Sequence, residues 1–142
     1  MENKVKVFRN SSFKDIRGYY WTSWKKNQFK KIFFKHDKFS LSKKNVLRGL
    51  HGDNKTWKLV SCPYGKFLLV VVNYNKNSKD YLKKQLFTLS HDNCIQVLIP
   101  PNFANGHLCL SENCLFHYKL SYKGNYIDSK NQFSLKWNDP KL

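Results

Sequence analysis

Short apolar and β-branched runs recur along the chain, at residues 19–24, 57–62, 67–74, 85–89, 95–99, 107–110 and 115–121. Polar turn signals separate them: Pro63-Tyr64-Gly65, residues 75–80, 90–93, 100–106 and 111–113, and Lys123-Gly124-Asn125. Short strands at this spacing predict an all-β sandwich or barrel, with room for only a helical turn or two at residues 25–31. The run Leu68-Leu69-Val70-Val71-Val72 is apolar at every position, the pattern of a strand buried on both faces, and is expected at the centre of a sheet. Residues 133–137 read as a strand or docking segment. No internal repeat, low-complexity linker or Pro/Gly cluster marks a boundary, so all 142 residues are read as one domain with one site.

Composition supports a folded core, because 41% hydrophobic and 16% aromatic residues are far more large apolar surface than a disordered chain carries. The formal charge of +17, from 26 Lys plus Arg against 9 acids, makes a field that attracts anions. Nucleic acid is disfavoured: there is no run of five consecutive basic residues, no zinc-finger spacing and no single-strand stacking motif. A solvated lysine face accounts for the charge, and a nucleoside diphosphate is another anion it would draw in. Cys62, Cys94, Cys109 and Cys114 form no CxxC pair, and Cys109 and Cys114 flank a turn across which they could be bridged. With no signal peptide and no membrane-spanning apolar run, the expectation is a cytoplasmic protein whose thiols act as small hydrophobes.

In a barrel, inward-facing polar side chains within apolar strands are the candidates for chemistry. Period-2 alternation through Leu47-Arg48-Gly49-Leu50-His51 puts Leu47, Gly49 and His51 on one face, with Gly49 leaving room beside a histidine that could serve as a base. Lys58 opens a strand, and Tyr118 shares a face with Phe116 and Leu120. Each has a bland reading: a lone His beside a Gly turn is commonly structural, a strand-start Lys solvated, and a core Tyr carries its hydroxyl to the rim. Together they supply the base, cation and phenol that proton abstraction beside a carbonyl requires. His36, His51, His91, His107 and His117 are dispersed and show no clustered His-x-His, so no metal is expected; no phosphate-loop, dinucleotide or Gly-x-Ser-x-Gly pattern is present.

The order of motifs resembles the dTDP-4-dehydrorhamnose 3,5-epimerase family. It runs from Asp15-Ile16-Arg17-Gly18 through Asn45-Val46-Leu47-Arg48-Gly49-Leu50-His51, Lys58-Leu59-Val60, Gly65 and Ile99-Pro100-Pro101-Asn102-Phe103-Ala104. It continues through Ser111-Glu112 and Tyr118-Lys119 to Trp137-Asn138-Asp139-Pro140. His51-Gly52-Asp53, Asn105-Gly106-His107, and Tyr118-Lys119-Leu120 with Tyr126, Asp128, Gln132 and Phe133 look more like the branch acting on GDP-linked 4-keto-6-deoxy-heptoses. The resemblance implies a cupin-type jelly-roll β-barrel, a homodimer with residues 1–30 exchanged, and no cofactor. The implied activity is inversion of carbon 3, carbon 5 or both of a dTDP- or GDP-linked 4-keto-6-deoxy sugar in surface polysaccharide biosynthesis.

On these residues the resemblance implies His51 as base, Lys58 as the cation stabilising the enolate, and Tyr118 as the acid on the opposite face. Arg48, Asp53, Asn105, His107 and the partner subunit's Arg17 would bind the nucleotide-diphosphate sugar. Relatives read Phe-Ala-His-Gly where this chain has Phe103-Ala104-Asn105-Gly106-His107, so a cavity histidine is replaced by Asn105 or displaced by two positions. They also carry carboxylates in the strand after Gly65, where this chain has Leu69 and Asn73, and continue past Trp-Asn-Asp-Pro with an aspartate that orients the base. The chain stops at Leu142, leaving Asp37 and Asp53 as candidates to replace that carboxylate. A 3,4-ketoisomerase shares the fold but has a different histidine arrangement. The alternative of another class is an inactive or truncated cupin that binds a nucleotide sugar or a partner enzyme.

Overall fold

A computed structural model describes residues 4–122 and 131–142; the Lys123-Gly124-Asn125 turn, Tyr126 and Asp128 lie outside the described residues. The strands are β1 (Lys6–Arg9), β2 (Ser12–Asp15), β3 (Gly18–Trp21), β4 (His36–Lys43), β5 (Leu47–Gly52), β6 (Lys58–Tyr64), β7 (Lys66–Asn73), β8 (Lys84–Ser90), β9 (Ile95–Ile99), β10 (Phe103–Cys109), β11 (Asn113–Leu120) and β12 (Phe133–Ser134). A 3-10 turn at Lys26–Phe29 meets the helical expectation. Two antiparallel five-stranded sheets, ordered β1-β9-β6-β11-β4 and β12-β5-β10-β7-β8, give the jelly roll, and β2 and β3 form a separate hairpin. Among the described residues no helix is long and apolar enough to cross a membrane.

The main core lies between the sheets. Alternate residues of β7, namely Phe67, Leu69 and Val71, meet Val60 and Cys62 of β6, Val97 and Ile99 of β9, and Phe116 of β11. Strand β6 is buried from Lys58 to Cys62 because its outer face is covered too: Leu59 packs with Leu98 under Phe29 and Ile32, beside Trp57. The segment ending the chain docks as its sequence suggested. Phe133, Leu135 and Leu142 cover Leu50, Val72 and Ala104 on the outside of the second sheet, and Phe133 pairs with Gly52. All four cysteines are buried free thiols.

Two expectations change, and β4, which lies outside the apolar runs, is added. The apolar run of β7 is second from the edge; β10 is central, and Leu68 and Val70 are only half-buried. Residues 103–106, read as part of a turn, begin β10, and the turn ends at Asn102, whose φ of 67° is left-handed. Asn105 and Gly106 looked like turn formers because composition alone cannot show that each is enclosed by neighbouring strands. Strand β4 carries no apolar inward face: its alternation buries Ser42 and half-buries Ser40 while Phe39 and Leu41 point outward, both 60% exposed. It lines a polar interior and therefore reads inside out.

Strand β5 breaks its own alternation. Asn105 of β10 pairs with His51 and His107 pairs with Arg48, so three steps along β5 match two along β10. This bulge turns Arg48 and His51 to the same inner face, in place of Leu47, Gly49 and His51. Gly49, at φ 110°, leaves no room for a ligand, because a Cβ there would lie 2.5 Å from the Gly106 Cα and 2.7 Å from the Asn105 carbonyl oxygen. Two glycines face each other so that two backbones can approach. Gly49→Ala should therefore lower unfolding stability by roughly 2–4 kcal/mol, from positive-φ strain and steric overlap. Urea titration would read this as a lower midpoint at unchanged slope.

Candidate active site

A cavity of about 290 Å³ opens between the sheets. Its walls are Arg48, His51, Asn105 and His107 from one sheet and Ser40, Lys58, Phe116, Tyr118 and Leu120 from the other, with Asp53, Thr56, Tyr122 and Gln132 from connecting segments. The fold thus gathers seven of the eight residues picked out from the sequence. Arg17 is the exception. It sits exposed in the β2–β3 hairpin, paired with Asp15, and does not line this cavity.

Lys58 is buried, against the usual fate of a strand-start lysine, and its ammonium donates to the Asn105 side-chain oxygen at 2.7 Å. Burial lowers its pKa to about 8, a fall opposed by the nearby Asp53 carboxylate. At neutral pH most of the population still carries the charge. Asp53 also shapes the approach to Lys58, accepting from the amides of Lys55 at 2.8 Å and Thr56 at 2.7 Å. His51 has its pKa lowered from the usual imidazole value by burial and then by the Lys58 charge, with Asp53 pulling the other way, so it is neutral and able to accept a proton at pH 7. Tyr118 sits with its ring 5.2 Å from Phe116, on the face shared with Leu120 as expected.

His107 also lines the cavity, so a histidine is present two positions beyond Asn105. Burial, then Arg48 and His51, lower its pKa to about 4. Asp37 does not replace an orienting carboxylate. It lies on the outer face of the first sheet, where it accepts from Lys119 at 2.6 Å and pairs with the Nε2 of His117, whose Nδ1 is 2.7 Å from Ser61 Oγ. Among the described residues, Asp53 is the carboxylate of the cavity wall. Among the described residues no three His, Cys, Asp or Glu side chains converge as metal ligands.

Two residues escaped the sequence reading. Ser42 is buried beside Arg48 and His107, and the serine alternation of β4 was its only signal. The Thr56 hydroxyl is buried on the cavity wall without a hydrogen-bond partner among the described residues, and nothing in the sequence marks it.

The family model described as dTDP-4-dehydrorhamnose 3,5-epimerase matches residues 3–142. The dTDP-4-dehydrorhamnose 3,5-epimerase of Salmonella typhimurium is 37% identical over 143 residues, which cover 95% of this chain and 76% of that protein. A crystal structure of the Legionella pneumophila dTDP-6-deoxy-D-glucose-3,5-epimerase, in complex with dTDP-4-keto-L-rhamnose, superposes with a TM-score of 0.89 at 31% identity, covering 97% of this chain and 76% of the other. The corresponding Elizabethkingia anophelis enzyme gives 0.85 at 32% identity, covering 97% and 78%.

A lysine with a lowered folded pKa destabilises the fold while charged. Between about 8 and its ordinary 10.5 the unfolded chain holds a proton that the folded chain has shed, so stability rises with pH through that window. Lys58→Met should flatten this rise in denaturant titrations made on both sides of it.

Proposed function

Because the chain belongs to the dTDP-4-dehydrorhamnose 3,5-epimerase family, we propose that this cavity inverts carbon 3, carbon 5 or both of a dTDP-linked 4-keto-6-deoxy sugar. The observation that carries the reading is the placement of a neutral imidazole, His51, and a phenol, Tyr118, on opposite sheets around one cavity that also holds the buried Lys58 ammonium. The C4 ketone makes the neighbouring C–H bonds acidic. His51 takes the proton, the electron pair moves into the enolate, and Lys58 balances the charge gathering on oxygen, an interaction strengthened by the enclosed site. Tyr118 returns a proton to the other face of the same carbon and regains one from solvent, to which His51 releases the proton it took. Asn105 fixes the Lys58 ammonium through its 2.7 Å contact, and Arg48 faces the diphosphate. The cavity is at the small end for ligand sites (~300–1,000 Å³), so the sugar enters while nucleotide and phosphates extend toward the mouth. The chemistry asks for no cofactor.

The reading extends to a homodimer in which hairpin β2–β3 brings Arg17 to the partner's cavity. Arg17 does not line its own cavity, and Phe13, Ile16 and Tyr20 of the same hairpin are 58%, 104% and 68% exposed, an apolar surface suited to a second copy. The free thiols suit a reducing cytoplasm. A cupin that binds without catalysis is disfavoured, because base, cation and acid face one cavity.

In heavy water, NMR of dTDP-linked 4-keto-6-deoxy sugar should show deuterium entering carbon 3, carbon 5 or both, faster than with the GDP-linked analogue. His51→Asn should reduce exchange by roughly 10²–10⁴-fold while sparing binding; full exchange by that variant would remove His51 from the role of base. The rate should hold through neutrality, fall on the acid side below the ordinary imidazole range as His51 protonates, and fall again near 8 as Lys58 loses its proton. Arg17→Ala and His51→Asn proteins, each impaired, should recover activity when unfolded and refolded together, since a mixed dimer holds one intact cavity. Without recovery, Arg17 does not serve the partner.

A further inference from the structure

The two imidazoles of the cavity have different surroundings. His107 is 3% exposed and stacks on Phe116, ring centroids 4.4 Å apart and planes 15° from parallel, with Phe67 tilted against it at 5.3 Å. Its Nε2 lies 3.3 Å from Ser42 Oγ. The same oxygen accepts the Arg48 Nε–H at 2.9 Å, and the guanidinium is anchored further by Nη2 donating to the Leu41 carbonyl at 3.2 Å.

The direction of the remaining proton follows. An arginine side chain can only donate, so it takes one of the two lone pairs of Ser42 Oγ; were the other to accept from His107, the buried hydroxyl proton would have no acceptor among the described residues. His107 Nε2 is the acceptor that the described residues bring within reach. For Nε2 to accept, it must carry a lone pair, which leaves the ring proton on Nδ1. The surroundings of the ring agree: burial disfavours a second proton first, the Arg48 charge adds to it, His51 from β5 adds to it only when itself protonated, and Ser42, Phe67 and Phe116 contribute no negative charge. Nδ1 has no hydrogen-bond partner among the described residues, and the ring lines the cavity.

We propose that Ser42 is a positioning residue that, together with Arg48, fixes His107 as the neutral Nδ1–H tautomer, making His107 a hydrogen-bond donor to an oxygen of the bound sugar and not a second base. The donor role rests on the cavity being the sugar site, as argued above; the tautomer does not. The arrangement has a chemical purpose. A 4-keto sugar exposes acidic protons on two carbons, and a second unoccupied imidazole lone pair would compete with His51 for them. Ser42 ties up that lone pair, so His51 is left as the one basic imidazole nitrogen source in the cavity.

The test is long-range proton–nitrogen NMR on histidine-labelled protein, with His107 assigned by loss of its signals in His107→Gln. The expected spectrum shows an unprotonated Nε2 and a protonated Nδ1 that persist from about pH 8 to about pH 5, a range in which an ordinary imidazole titrates. A protonated Nε2, or titration near the ordinary value, would overturn the tautomer. Ser42→Ala should release a mixture of tautomers and raise KM roughly tenfold with a smaller effect on kcat, and Ser42→Thr, which keeps the hydroxyl, should restore both. Adding dTDP-linked sugar should shift the His107 Nδ1–H resonance in the wild type; an unmoved resonance in protein that exchanges deuterium normally would overturn the donor role. Wild-type protein that shows the tautomer yet exchanges no deuterium would instead defeat the epimerase reading and the donor role with it.

Discussion

The close approach of β5 and β10 at Gly49 and Gly106 is the constraint on which the site depends. A Cβ on either glycine would meet the backbone of the other strand within 2.7 Å, so only this pair lets the strands come so near. The bulge beside it turns Arg48 and His51 inward together and sets His51 opposite Asn105, whose side chain reaches Lys58 across the sandwich. His51 and Lys58 are thus positioned by one backbone irregularity between β5 and β10, not by flexible loops.

Electrostatics inside the cavity run against the charge of the chain. A net +17 surrounds a site where further positive charge is costly: His51 is pushed toward neutrality by burial and Lys58, His107 by burial and Arg48, and Lys58 itself is brought down to about 8. Each shift follows from desolvation reinforced by a like charge or, for Lys58, softened by Asp53. The result is a neutral imidazole beside an ammonium, the pair that the proposed enolate chemistry asks for.

The outer faces serve a different end. Leu59 and Leu98 are covered by Phe29 and Ile32, and Leu50, Val72 and Ala104 by the segment from Phe133 to Leu142, so both sheets are supported from outside at the strands carrying Lys58 and His51. The Asp37, His117 and Ser61 contacts tie β4, β11 and β6 together on the far side of the same sheet that presents Tyr118. Burial tends to raise the Asp37 pKa, but the Lys119 and His117 hydrogen bonds prevail and lower it, so the carboxylate holds this tie at neutral pH.

Much of this was legible in the chain. Alternating short apolar runs determined the all-β class, the docking of Phe133 and Leu135 and the shared face of Phe116, Tyr118 and Leu120, because period-2 burial is written directly into residue order. Residue types and their order also singled out His51, Lys58 and Tyr118, which the fold gathers around one cavity, and the family resemblance supplied the roles proposed for them. Tertiary structure decided what local pattern cannot express. The β5 bulge overrode alternation, β4 presented serines inward because its interior is a cavity, and Asn105-Gly106 served a central strand while reading as a turn. It also decided that Asp37 lies outside the cavity and that Ser42, more than sixty positions from His107 in the chain, holds its ring, since such contacts depend on which strands are neighbours and not on which residues are.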